Sequence, residues 1–228
     1  MYKFGIKPSY SFVFVTQIVM IFIAAMMSDN IYIYLLFSFG LFSIFGAVIH
    51  SIWHTRTPRI ICIALGIIAL TSSLLLSIPG ITQEHIRLSL IVCCFSYATF
   101  VLIAILTIGC NVFKTSKVNF DTIIGSVCIY LLMGMFFAFI YAGMDIVSPG
   151  AIYLDATDSK SIERFSCFLY FSYTSLTTTG YGDIIPLSPM TRSVAVIEQM
   201  AGAVYLVIMM ARLVGLHISQ VTNKLIKS

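Results

Sequence analysis

Apolar runs of membrane-spanning length alternate with short polar segments along the whole chain. A spanning helix needs roughly 20 apolar residues. Six runs meet or approach that length: Tyr10–Met27, Ile31–Ile49, Ile60–Ile78, Leu88–Cys110, Thr122–Met144 and Pro189–Leu213. A seventh apolar piece, Phe165–Thr177, is too short to cross and lies between the fifth and sixth runs. The pattern predicts an all-α integral membrane protein with six transmembrane helices and a re-entrant segment between the last two. Residues 1–110 form a four-span N-terminal domain, and residues 111–121 a cytoplasmic interfacial linker. Residues 122–218 form a second domain, and residues 219–228 a short cytoplasmic tail.

Composition agrees. Of 228 residues, 59% are hydrophobic and 10% charged, and mean hydropathy is +1.01. A soluble domain carries roughly 25% charged residues, so membrane lipid is the expected surrounding. The net charge of +4 is spread over loops and signals topology, not a nucleic-acid partner. Positive residues near span ends mark the cytoplasmic side. Lys3 and Lys7, Arg56 and Arg59, Lys114 and Lys117, and Arg212, Lys224 and Lys227 all fall on one side. Asp29, Glu84, Asp145, Asp155, Asp158 and Glu163 fall on the other, with Arg87, Lys160 and Arg164. A multi-pass protein of the cell membrane with both termini cytoplasmic follows. The fourth span has no internal Arg or Lys, only Arg87 at its outer end. A voltage sensor needs a ladder of arginines in such a span, and none is expected. The six cysteines show no metal-ligand spacing and read as small buried apolar residues. No catalytic constellation is present, so no enzyme activity is expected.

The chemistry concentrates in Thr177-Thr178-Thr179-Gly180-Tyr181-Gly182-Asp183. A permeant cation must exchange hydration oxygens for protein oxygens. Rings of backbone carbonyls from four such loops provide them in a potassium filter. Gly180 and Gly182 accept positive φ without a Cβ penalty, so they can alternate with Thr179 and Tyr181 to hold the carbonyls inward. K+ is expected at Thr178, Thr179, Gly180 and Tyr181, with Thr178 adding its hydroxyl. One chain carries one loop, so four subunits around one pore are required.

Here the chain resembles the tetrameric potassium channels over Phe171–Asp183. Pro186, Arg192, Gly202, and the pair Glu163-Arg164 follow or precede the filter at that family's spacing. A looser resemblance to small prokaryotic channels with one pore loop covers Val118–Gly215, through Gly125, Tyr130, Gly134, Tyr141 and Ser148-Pro149-Gly150. It implies an outer helix over 122–144, a turret over 145–164, a pore helix over 165–177, a selectivity filter over 178–182 and an inner helix over 189–213. Many relatives pair a pore-helix carboxylate with the residue matching Asp183, and this chain has Thr174 in that place. Filter support therefore falls to Tyr173, Thr174, the Thr179 hydroxyl and Asp183. Glu198 joins them as an ionisable group inside a span, which marks a functional candidate. It reads either as a hydrogen-bond acceptor behind the filter for Ser172 or Thr174, or as a pH sensor. Gly202 reads as a hinge or as a packing glycine, and Leu206 with Met210 as an apolar gate. Arg212 is expected to snorkel to headgroups. The implied function is passive potassium conduction by a homotetramer, with K+ as permeant species and no cofactor. A nonselective cation channel, a potassium-transporter subunit and a non-conducting regulatory protein are the rivals.

Overall fold

The computed structural model describes residues 10–25, 46, 64–68, 82–115, 119–154 and 163–227. The spans expected over 31–49 and 60–78 lie almost wholly outside the described residues. The main elements follow in order: α1 (Tyr10–Ala25), α2 (Gln83–Lys114), α3 (Phe120–Val147), β1 (Ile152–Tyr153), α4 (Glu163–Leu176), β2 (Ile185–Pro186) and α5 (Pro189–Lys227). Among the described residues, three helices are long and apolar enough to cross a membrane: α2, α3 and the Pro189–Thr222 part of α5. The chain is thus a mostly helical, multi-pass membrane protein.

The helices outrun the apolar runs. α2 begins five residues before Leu88 and continues to Lys114. Glu84 in its first turn and Lys114 in its last complement the helix dipole, so these polar flanks prolong the helix instead of ending it. α3 likewise starts at Phe120 with Asp121 in its first turn. The linker expected over 111–121 shrinks to 115–119. A connection this short makes the two helices antiparallel neighbours. Arg87 near the start of α2 closes that hairpin. It donates to the carbonyls of Ile146 and Val147 at the end of α3, at 3.0 and 2.7 Å. A cation at a helix C-terminus satisfies orphan carbonyls and offsets the dipole. The lone arginine of the fourth span is thereby committed to a cap.

α3 is the hub, with α1, α2, α4 and α5 all packed on it. Val101, Ala104, Ile108 and Val112 of α2 recur at three- and four-residue spacing and are buried with Ile129, Leu132 and Met135 of α3. Tyr97 stacks on Phe139 with centroids 5.3 Å apart. α1 packs on α3 as well, so the first span of the N-terminal domain lies against the second domain. Gln17 is fully buried and donates to the Cys128 carbonyl at 3.3 Å, and the Tyr10 amide donates to Asp121 Oδ1 at 3.2 Å. Gly125 makes the contact possible. A Cβ there would lie 3.0 Å from both the Tyr10 ring and Val112.

α5 packs through one stripe. Thr191, Ala195, Glu198, Gly202 and Met209 are buried, with Tyr205 and Arg212 partly so. Their spacing alternates between four and three residues. That repeat keeps one face of a helix against its neighbours. Val196, Ile197, Met200, Val204, Val207 and Met210 lie off the stripe and are exposed and apolar. Ser188 caps the helix, its Oγ accepting the Thr191 amide at 3.1 Å, and Pro189 takes the first position, where no amide is needed. The helix continues through the residues expected to form a tail, to Lys227.

Candidate ion-conduction site

The last turn of α4 explains how the loop Thr177–Asp183, the expected filter, is held. Four carbonyls at a helix C-terminus lack intrahelical donors. Here each finds one. Tyr173 O accepts the Thr177 amide at 3.0 Å, and Ser175 O the Thr178 amide at 2.9 Å. Thr174 O accepts the amides of Thr179 and Gly180 at 2.8 and 3.2 Å. Leu176 O accepts the Tyr130 hydroxyl of α3 at 3.0 Å. Four consecutive amides, Thr177 to Gly180, are therefore turned back toward α4.

The backbone then alternates. Thr178, Gly180 and Gly182 have φ of 58°, 57° and 82°. Left-handed residues at every second position bring successive carbonyls to one side, the geometry a cation ladder needs. The two glycines are where the sequence places them. Thr178 is a further left-handed residue, which sequence reasoning missed; a non-glycine residue there is strained, by about 1–2 kcal/mol. The only sequence signal for it is the period of two that the glycines set. Residues 177–183 are all exposed in the single chain, so the filter lies on an outer face of the subunit.

The supporting residues act differently from expectation. Tyr173 sends its hydroxyl to Leu131 O of α3 at 2.9 Å, and its ring occupies the space a Gly134 side chain would fill. It anchors the pore helix, not the filter. The Thr174 hydroxyl bonds within its own helix to Phe171 O at 3.0 Å, so Thr174 supports the filter through its carbonyl. Thr179 Oγ1 lies 2.8 Å from Thr177 Oγ1. Thr177 donates to Tyr173 O at 2.7 Å, so Thr179 is the donor to Thr177. Asp183 Oδ1 accepts the Ile184 amide at 3.0 Å. The Tyr170 and Tyr181 rings stack nearly parallel, 6.3 Å apart. Phe168 and Phe171 are buried, Phe171 edge-on to Tyr141 at 5.0 Å. Leu206 and Met210 are exposed on the bare face of α5.

Two expected positions move. Asp145, expected in a solvated turret, lies in α3, 5% exposed, 2.6 Å from Arg164 in the first turn of α4. The reason is the pairing itself, which lets α3 run to Val147. Asp145→Asn should cost about 1–3 kcal/mol, between the values for surface and buried pairs. A double-mutant cycle with Arg164→Gln should show the two changes to be non-additive in thermal unfolding. Arg212, expected at headgroups, donates to the carbonyls of Val112, Phe113 and Thr115 at 2.8–2.9 Å, and its guanidinium lies 4.9 Å from the Phe113 ring centre. It ties the second half of α5 to the end of α2. Beyond the filter, β1 and β2 pair Ile152 with Pro186 and Tyr153 with Ile185. Ala151 O receives Leu187 N, Ser188 N and Thr191 Oγ1, pinning the segment after the filter to the turret.

Residues 120–217 match the model of a family described as ion channel. The matched segment starts at the first residue of α3 and ends in lower α5, so it contains the whole loop. It covers a little under half of the chain. No curated protein and no solved structure matches the chain. The match supports an ion-channel family and a transport role.

Proposed function

We propose that the protein is a potassium-selective channel, conducting K+ passively through carbonyls of Thr178 to Gly182. The observation that carries this reading is the left-handed alternation at Thr178, Gly180 and Gly182, with the amides of Thr177 to Gly180 tied back to α4. A cation replaces its water shell only where several oxygens converge, and one loop offers one quarter of a ring. The reading therefore includes four copies about the pore axis. An open cleft of about 840 Å³ beside Tyr170, Thr174, Thr179 and Asp183 gives a neighbouring copy room to close on the filter. The positive-inside bias orients the termini to the cytoplasm and the Gly182–Asp183 end outward, in the cell membrane.

The test is the reversal potential of purified protein in planar bilayers, with potassium on one side and sodium on the other. A value close to the potassium equilibrium potential is the expected result. A value near zero would replace potassium selectivity with a nonselective cation pathway. Cross-linking in lipid should end at the tetramer band, and an end point at the dimer would contradict the assembly.

A further inference from the structure

Behind the filter, two hydroxyls meet one carboxyl group, and one of them also meets a backbone carbonyl. Tyr141 of α3 places its hydroxyl 2.7 Å from Glu198 Oε2. Ser172 of α4 places its hydroxyl 2.5 Å from Glu198 Oε1 and 2.6 Å from the Gly134 carbonyl of α3. Tyr141, Ser172 and Glu198 are each 0% exposed. Oxygens at these separations need a hydrogen between them. There are three such contacts. A serine and a tyrosine hydroxyl bring one hydrogen each, and a carbonyl brings none. The third hydrogen must reside on the carboxyl. Only one arrangement fills all three contacts: Tyr141 donates to Oε2, Oε1–H donates to Ser172, and Ser172 donates to Gly134 O.

We propose that Glu198 is held as a neutral carboxylic acid at neutral pH and is a positioning residue, the proton donor that completes a latch joining α3, α4 and α5. Among the described residues, the groups facing it are Tyr141 and, farther off, Tyr130 from α3, and Ser172 from α4. None of these carries a positive charge that would hold a carboxylate. An ionised Glu198 would take the Ser172 hydrogen for itself. Gly134 O and Ser172 Oγ would then face each other with no hydrogen between, and the pore helix would lose that tie to the outer helix. Ser172 immediately precedes Tyr173, whose carbonyl is the first of those that bind the filter amides. The bearing of the latch on conduction rests on the channel reading above, whereas the placement of the proton does not.

The chain has three glutamates, Glu84, Glu163 and Glu198. Protein grown with carbon-13 glutamate and reconstituted in lipid at pH 7 should show, by infrared spectroscopy, one protonated-carboxyl stretch beside carboxylate bands. The protonated band should vanish in Glu198→Gln. Carboxylate bands alone in the unmutated protein would overturn the proposal, whether or not the protein conducts. Glutamine can donate to Ser172 and accept from Tyr141, so E198Q should keep potassium flux within about twofold of the unmutated protein. E198A, which strands Ser172 and Tyr141, should reduce flux about tenfold or more. Equal loss in both variants would show that the carboxyl is needed as an anion.

Discussion

Gly202→Ala is expected to lower the thermal stability of the reconstituted protein by about 1–3 kcal/mol and to degrade ion selectivity with it. A Cβ on Gly202 would lie 2.7 Å from Leu176 O and 2.8 Å from Leu176 Cδ1. The leucine side chain can rotate away. The carbonyl cannot, because it ends α4 and is held by the Tyr130 hydroxyl. Alanine gains about 1 kcal/mol over glycine as a helix former, which offsets part of the clash. The remainder pushes α5 off the end of the pore helix and disturbs the carbonyls that hold Thr177 to Gly180. A glycine acting as a hinge alone predicts otherwise: stability unchanged or raised, with opening impaired. Thermal unfolding in lipid nanodiscs separates the two, and a raised melting temperature would remove the packing role.

A second large effect is expected at Gly180. With φ of +57°, alanine there is strained by about 1–2 kcal/mol per chain, or roughly 4–8 kcal/mol in the proposed ring of four. The backbone would relax by turning one carbonyl out of line, and potassium current or its selectivity over sodium should collapse. Gly150 provides the matched control. Its φ is +84°, and a Cβ there would meet no other atom within 4 Å, so Gly150→Ala carries similar backbone strain in the turret turn. That variant should lose some stability and keep its reversal potential. Preserved selectivity in Gly180→Ala would mean that the filter does not need the alternation. Strain alone does not forbid a side chain in this loop. Thr178 is tolerated at φ 58°, held by its amide on Ser175 O.

Much of the site is legible in the sequence because its requirements are local. The proposed filter needs glycines two apart, a short apolar helix before it and a long one after it, and all three are visible as composition and spacing. What the sequence hides is where hydrogen bonds go. Tyr173 and Thr174 carry hydroxyls beside the filter in sequence, yet one reaches α3 and the other stays in its own helix. The Tyr141–Glu198 contact spans 57 positions along the chain, and no periodicity announces it. Helix ends are hardest to place wherever charge marks a run's limit. Lys114, Asp121 and Asp145 are all helical, because a charge at the proper helix end, or one paired like Asp145, does not break the helix. A gate at Leu206 and Met210 stays an expectation, since the two differ from ordinary apolar residues only by what faces them.

The short connection between α2 and α3 also bears on how such a protein is made. Residues 115–119 span at most ~18 Å fully extended. Arg87 and Arg212 fasten α2 at its two ends to α3 and α5 of the same chain. Each nascent chain can therefore settle α1, α2 and α5 against its own α3 as it leaves the ribosome. In the proposed tetramer, subunits would dock late, each already folded around its own α3.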